Sequence, residues 1–250
     1  MKTHNRSTAA TLQNLARNRL AKAISLVLAG LFTFDVSSAE AQTSVIAAGG
    51  VGISGAGAHN GEGVSLNATN TTGVKADGTA IQFNQGEVKS GAISAAAAKG
   101  QTGLNASNGG EIRGADITVE MSPKTTTNVA VNATDMTGAL ATNGGILTLE
   151  NAAILMGGGI SGLNNRGLVS IGGIVDFSAG AISTLSKGSI AVLAMDGGQI
   201  VLRNGTTVAT TGNSGTTQAS HGLVAQNGGR IVADGIQVST SGSAASGARA

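Results

Sequence analysis

Cysteine is absent from the chain, which excludes a disulfide framework, thiolate metal ligation and thiol catalysis together. Unpaired thiols are a liability in an oxidising compartment, so the same absence suits an exported protein. Tryptophan and tyrosine are also missing, and of four phenylalanines only Phe83 and Phe177 lie beyond residue 41. A polysaccharide-cleaving site needs clustered carboxylates beside aromatic or basic groups, and this chain has no aromatic platform for sugar rings. Proline occurs once, and charged residues make up 11%. Beyond Ala41 there are 10 Lys and Arg against 11 Asp and Glu, so the basic balance belongs to the start of the chain and no nucleic-acid patch is expected. What remains abundant is glycine, 40 of 250 residues, with Ala, Val, Ile, Ser, Thr and Asn around it. That mixture favours thin, closely packed β layers over bulky helical cores.

Residues 1–41 read as a secretory signal peptide. Lys2, Arg6, Arg17, Arg19 and Lys22 give a basic start, Ala23 to Phe34 an apolar run, and Ala39-Glu40-Ala41 a small-residue cleavage triplet. Cleavage is expected between Ala41 and Gln42, because an apolar run of about 12 residues is too short to span a bilayer.

The remainder repeats one phrase. GLNASNGGEI at Gly103, GALATNGGIL at Gly138, AVLAMDGGQI at Ala191 and GLVAQNGGRI at Gly222 share an Asn/Asp-Gly-Gly corner. Apolar or small residues alternate on both sides of it, as Leu104, Ala106 and Ile112 do, which signifies strands with one buried face. Asn, Asp and Gly tolerate left-handed backbone angles, so the corner turns sharply. A third strand follows at Ile117 and Val119 and at Ile236 and Val238. The copies begin 35, 53 and 31 residues apart, the wide gap holding a degenerate copy from Gly162 to Gly180. A three-strand phrase at this period predicts a solenoid whose coils bury each other's faces. The expected fold is all-β: a right-handed parallel β-helix of roughly eight coils over residues 61–250, the hand following from the crossover rule. Gly73 to Gly91 reads as a further coil, and residues 42–60 as a cap or linker. The last residues, Gly247 to Ala250, match the opening of another phrase, so the chain is expected to end mid-repeat.

Several motifs point to chemistry that their surroundings do not support. Gly50 to Gly55 spells G-x-G-x-x-G, but no helix is expected after it to receive a pyrophosphate. The corners lack the third glycine of calcium-binding β-roll repeats. His59 and His221 are isolated and read as loop side chains, and Asp116, Asp135, Asp176, Asp196 and Asp234 are scattered over different repeat positions. Asn-x-Ser/Thr triplets at Asn67, Asn70, Asn105, Asn132 and Asn204 follow from a composition rich in those residues. No catalytic residue, cofactor or metal is expected. Met121 to Thr137 is the long insertion between coils, and the expectation for it is an ordinary surface loop.

A signal peptide followed by cysteine-free, Gly/Asn-turned β-helix phrases resembles the passenger region of bacterial autotransporters, the pertactin-like adhesins in particular, over residues 61–250. The resemblance implies delivery by the Sec export machinery, passage through an outer-membrane β-barrel at the C-terminal end of the same polypeptide, and display at the cell surface as an adhesin facing a host receptor. No barrel lies within these 250 residues, which are therefore expected to be the N-terminal part of such a protein. Arg113-Gly114-Ala115-Asp116 departs from the Arg-Gly-Asp triplet of some relatives and is not counted as one. A structural spacer, a substrate of a separate two-partner transporter and, last, an enzyme are the alternatives.

Overall fold

The computed structural model describes residues 44–91, 98–124, 131–157, 162–212, 219–241 and 244–250. Among them there is no helix, and 23 strands follow one another in coils of three. The third coil shows the plan. β8 (Thr102–Ser107) leads through Asn108-Gly109-Gly110 into β9 (Glu111–Ala115), which turns at Asp116-Ile117 into β10 (Thr118–Met121). The coils before it are β1 (Ser44–Ala47), β2 (Val51–Ser54) and β3 (Gly57–Asn60), then β4 (Gly63–Leu66), β5 (Thr72–Asp77) and β6 (Ala80–Asn84), with β7 (Glu87–Ser90) leading in. After it come β11 (Thr137–Thr142), β12 (Ile146–Glu150) and β13 (Ala153–Met156), then β14 (Arg166–Ile171), β15 (Ile174–Ser178) and β16 (Ala181–Thr184). The last are β17 (Ile190–Met195), β18 (Gln199–Arg203) and β19 (Thr207–Thr210), then β20 (His221–Gln226), β21 (Arg230–Ala233) and β22 (Gln237–Thr240), and finally β23 (Ala248–Arg249).

Every third strand pairs in parallel with its counterpart in the next coil. Sheet I runs from β1 to β22 and sheet II from β2 to β23, with eight strands each, and sheet III joins β3 to β21 with seven. The chain is a parallel β-helix. The degenerate Gly162–Gly180 phrase is a complete coil, and Gly73–Gly91 is another. Residues 44–60, for which the sequence left a cap and a linker open, supply the first strands of all three sheets.

Side chains stack in rows between the sheets. Sheet II contributes Val74, Leu104, Ala139, Leu168 and Val192, sheet III Ile81, Ile112, Leu147, Val175 and Ile200, and sheet I Val64, Val88, Val119, Ile154, Ile182 and Val208. A coil cannot enclose these residues alone, so each row is buried by its neighbours above and below. Phe83 and Phe177 are the largest side chains in this core, and both are fully enclosed. Their rings lie against Gly86 and Gly180, where a Cβ would collide with them.

The two glycines of the corner have different reasons. Asn108 and Gly109 both have positive φ, 53° and 75°, and the Gly110 amide donates to the Ser107 carbonyl at 2.8 Å, which closes a type I′ turn. Gly109 faces open space, whereas a Cβ on Gly110 would run into the carbonyl of Ala76 in the preceding coil. Backbone angle selects the first glycine and coil-to-coil approach the second.

Candidate functional site

Length varies by more than one residue on only one side of the coil. The turns from sheet II to sheet III, and from sheet III to sheet I, take two or three residues in every coil. The return from sheet I to sheet II takes five residues between β16 and β17 but fifteen between β10 and β11. Thr72, Thr102, Thr137, Arg166, Ile190 and His221 nevertheless stand in line across sheet II, so the coils measure 30, 35, 29, 24 and 31 residues without loss of register. An added segment on this side disturbs no strand pair, so longer excursions are tolerated here.

The base of this side is tied down. Lys99, Thr134, Leu163 and Lys187 form a short parallel ladder of their own. Beneath it lie buried polar residues: Thr71, Gln101, Asn165, Ser189 and Ser220, each just before its sheet II strand, with Met136 in the same place in the long coil. Asn165 accepts at Oδ1 from the Met136 amide at 3.0 Å, and its Nδ2 donates to the Ala133 carbonyl at 3.2 Å and to Ser186 Oγ at 2.7 Å. Gln101 Nε2 donates to the carbonyls of Leu66 and Ala68, and its Oε1 accepts from Ser90 Oγ. Buried amides with every partner supplied pin where the excursions leave and return.

The insertion Met121–Thr137, expected as an ordinary loop, is more than that. Its residues 125–130 lie outside the described residues, but its returning limb belongs to the core, where Val131, Ala133 and Met136 are buried. The Val131 amide donates to the Pro123 carbonyl at 2.9 Å and closes the neck.

Sheet II carries a second apolar layer on its outer face. The row Lys75, Asn105, Leu140, Val169, Leu193, Val224, Arg249 is polar at both ends and apolar across four coils. Val169, Leu193 and Val224 are buried, with Leu140, Ile171, Ile190 and Met195 packed against them, separately from the main core.

No family model matches the chain, and no curated protein or solved structure matches it either. Function therefore rests on where this chain's own groups fall. Gly50 to Gly55 spans β2 and a bend before β3, so no helix N-terminus receives a phosphate there. His59 and His221 are on strands, contrary to the loop positions expected for them. His59 pairs with Phe83 at the end of a core row, and its Nδ1 lies 3.0 Å from Glu62 Oε1, a carboxylate three residues away that the sequence reading did not connect with it. His221 opens β20 and accepts from the Ser246 amide at 3.3 Å. Burial holds its pKa below the ordinary value, and the charge of Arg249 adds to the effect.

The carboxylates do not converge. Asp116 and Asp135 stand at left-handed positions on different turns, each accepting from an Asn one coil away, Asn151 and Asn164. Asp196 occupies a first-corner slot and Asp234 a second-corner one. Asp176, on sheet III, forms a two-pronged pair with Arg203 of the next coil, and that pair raises the Arg203 pKa. At the end of β5, a hydrogen bond from Lys75, then one from Asn108 of the next coil, holds the Asp77 carboxyl below its usual value. Among the described residues no group of three or more His, Cys, Asp or Glu is placed to hold a metal ion. Arg113 extends from β9, while Asp116 sits beyond Gly114 at the second corner. The cleavage residues Ala39, Ala41 and Gln42 lie outside the described residues.

Proposed function

We propose that this chain is the passenger part of an outer-membrane autotransporter, exported by the Sec machinery after removal of residues 1–41 and displayed at the cell surface for adhesion or host interaction. The observation that carries the reading is the division of labour within each coil: two turns of two or three residues hold register, and the third side takes segments of three to fifteen residues. Such a rod presents variable segments on an invariant frame. A cysteine-free stack also suits transit through a pore as an unfolded chain, each coil templating the next outside. The nearly uniform first and second turns suit a spacer equally, and that is the second reading.

The test places the 250 residues in front of an outer-membrane β-barrel in a Gram-negative host. The expected result is loss of the 42–250 region on treating intact cells with protease, together with attachment of those cells to cultured host cells. Attachment that weakens on deleting residues 125–130 assigns it to the insertion. Surface display without attachment selects the spacer, and retention in the cytoplasm with residues 1–41 uncleaved refutes the export reading.

A further inference from the structure

Charge is divided unevenly around the coil. Of the 10 cations and 11 carboxylates beyond residue 41, sheets I and III with the first and second corners hold four cations and nine carboxylates, which leaves six cations and two carboxylates for sheet II and the return side. Two of the six drop out: Arg249 belongs to the last strand, and Lys75 is taken up by Asp77 at 2.8 Å. The other four, Lys99, Lys124, Arg166 and Lys187, have no ion-pair partner among the described residues. Complete coils lie before Lys99 and after Lys187, so these groups belong to the interior of the stack. Lys99 and Lys187 end the ladder that runs through Thr134 and Leu163, three parallel steps of about 4.8 Å, which sets their Cα atoms about 14 Å apart along the rod. Its backbone is fixed, since the Lys99 carbonyl accepts from the Asn70 amide at 2.9 Å and the Lys187 amide donates to the Gly162 carbonyl at 3.1 Å. Ala98, Ala133 and Ser186, each one residue earlier, are buried, so the ladder side chains alternate to the outside. Arg166, three residues after Leu163, and Lys124, at the neck of the insertion, are exposed. The one carboxylate on the return side, Asp135, already accepts from Asn164.

We propose that the return side of the rod binds a linear anionic polysaccharide, laid along the ladder with its acidic groups against Lys99, Lys187 and Arg166 and reaching Lys124 at the insertion neck. Cations in line along a rigid axis, with carboxylates gathered on the other sides, give a positive stripe that a linear polyanion can follow. A sugar chain held by its charges needs no aromatic platform. Single-stranded nucleic acid does need one, and here Phe83 and Phe177 are enclosed while Trp and Tyr are absent. A membrane surface would want apolar side chains to insert, and Leu185 is the one large exposed apolar residue among the described residues of the return side. The biological meaning of this partner rests on the host-interaction reading, but the binding itself needs neither export nor a barrel.

The experiment titrates the folded chain with heparin over a range of salt concentrations, so its failure is distinct from a failure of display or of cell attachment. Binding is expected at about 0.15 M salt. The double variant Lys99→Gln with Lys187→Gln is expected to bind about tenfold more weakly and to lower the slope of log affinity against log salt by about one to two. Lys99→Arg with Lys187→Arg keeps the affinity. Lys89→Gln with Arg113→Gln removes the same charge from sheets I and III and leaves the affinity within about twofold, which separates the stripe from overall charge. Duplex DNA and vesicles containing phosphatidylserine are expected to bind more weakly than heparin. Absence of heparin binding, or an equal loss in the Lys89 and Arg113 variant, overturns the assignment of the site. Tighter binding of the DNA or of the vesicles overturns the assignment of the partner.

Discussion

Replacing Gly109 and Gly110 separately by alanine distinguishes two physical roles that the sequence presents as one motif. Gly109 has φ 75° and nothing within 4 Å of a Cβ, so Gly109→Ala introduces only left-handed strain, about 1–2 kcal/mol. Gly110 has no such angle, but a Cβ there enters the space of the Ala76 carbonyl and meets the Ser107 carbonyl at 2.9 Å. The obstacle is backbone and cannot rotate away. Relief by a shift of roughly 1 Å takes the 2.8 Å bond from the Glu111 amide to the Thr79 carbonyl out of range. Losing two or three such bonds at about 1 kcal/mol each, with overpacking added, makes Gly110→Ala worth about 3–5 kcal/mol. Urea unfolding of residues 42–250, monitored by far-ultraviolet circular dichroism, measures both, and amide exchange at Ala76 and Glu111 locates the damage. Equal effects, or a milder one at Gly110, would refute the coil-approach argument.

Asn165→Ala leaves the Met136 amide, the Ala133 carbonyl and Ser186 Oγ without their partner in the interior, and a loss of about 3–5 kcal/mol is expected in the same assay. Exposed Asn164→Ala, next to it, removes one 3.3 Å bond and adds strain at φ 57°, for about 1–2 kcal/mol. Thr184→Val points the other way: the Thr184 hydroxyl is buried with no partner, so the near-isosteric change is expected to stabilise by about 1 kcal/mol, seen as a higher urea midpoint. His221 has a depressed pKa in the fold, so the unfolded chain binds more protons as pH falls past 6.5. Its contribution is complete above that pH and declines below it, and His221→Asn flattens the dependence of the midpoint on pH between 7.5 and 5.

Much of the fold is legible in the alternation of Leu104, Ala106 and Ile112 about their Asn-Gly-Gly corner, because a period of two and a left-handed turn are both local properties. The third strand was legible in two phrases and is present in every complete coil, since Ala153–Met156 and Ala181–Thr184 acquire their pairing from the coils beside them. Phe83 and Phe177, noted in the sequence only as too few for a sugar platform, are used up by the core. The returning limb of the insertion was missed because Val131, Ala133 and Met136 sit amid Asn and Thr with no repeat to mark them, and only the neighbouring coils make them interior. His59 and Glu62 are three apart in a stretch without clear periodicity, and their contact depends on how the chain turns between β3 and β4.

The stack of three-strand coils, the Asn/Asp-Gly-Gly corners and the inward faces of the strands beside them could be read from local pattern, because hydrophobic period and backbone handedness act over a few neighbouring residues. That the variable lengths gather on one side, and that Leu140, Val169, Leu193 and Val224 line up outside sheet II, emerges only from the assembled coils. Each of these depends on the register between residues some 24 to 35 apart, and register is settled by coils pairing in space.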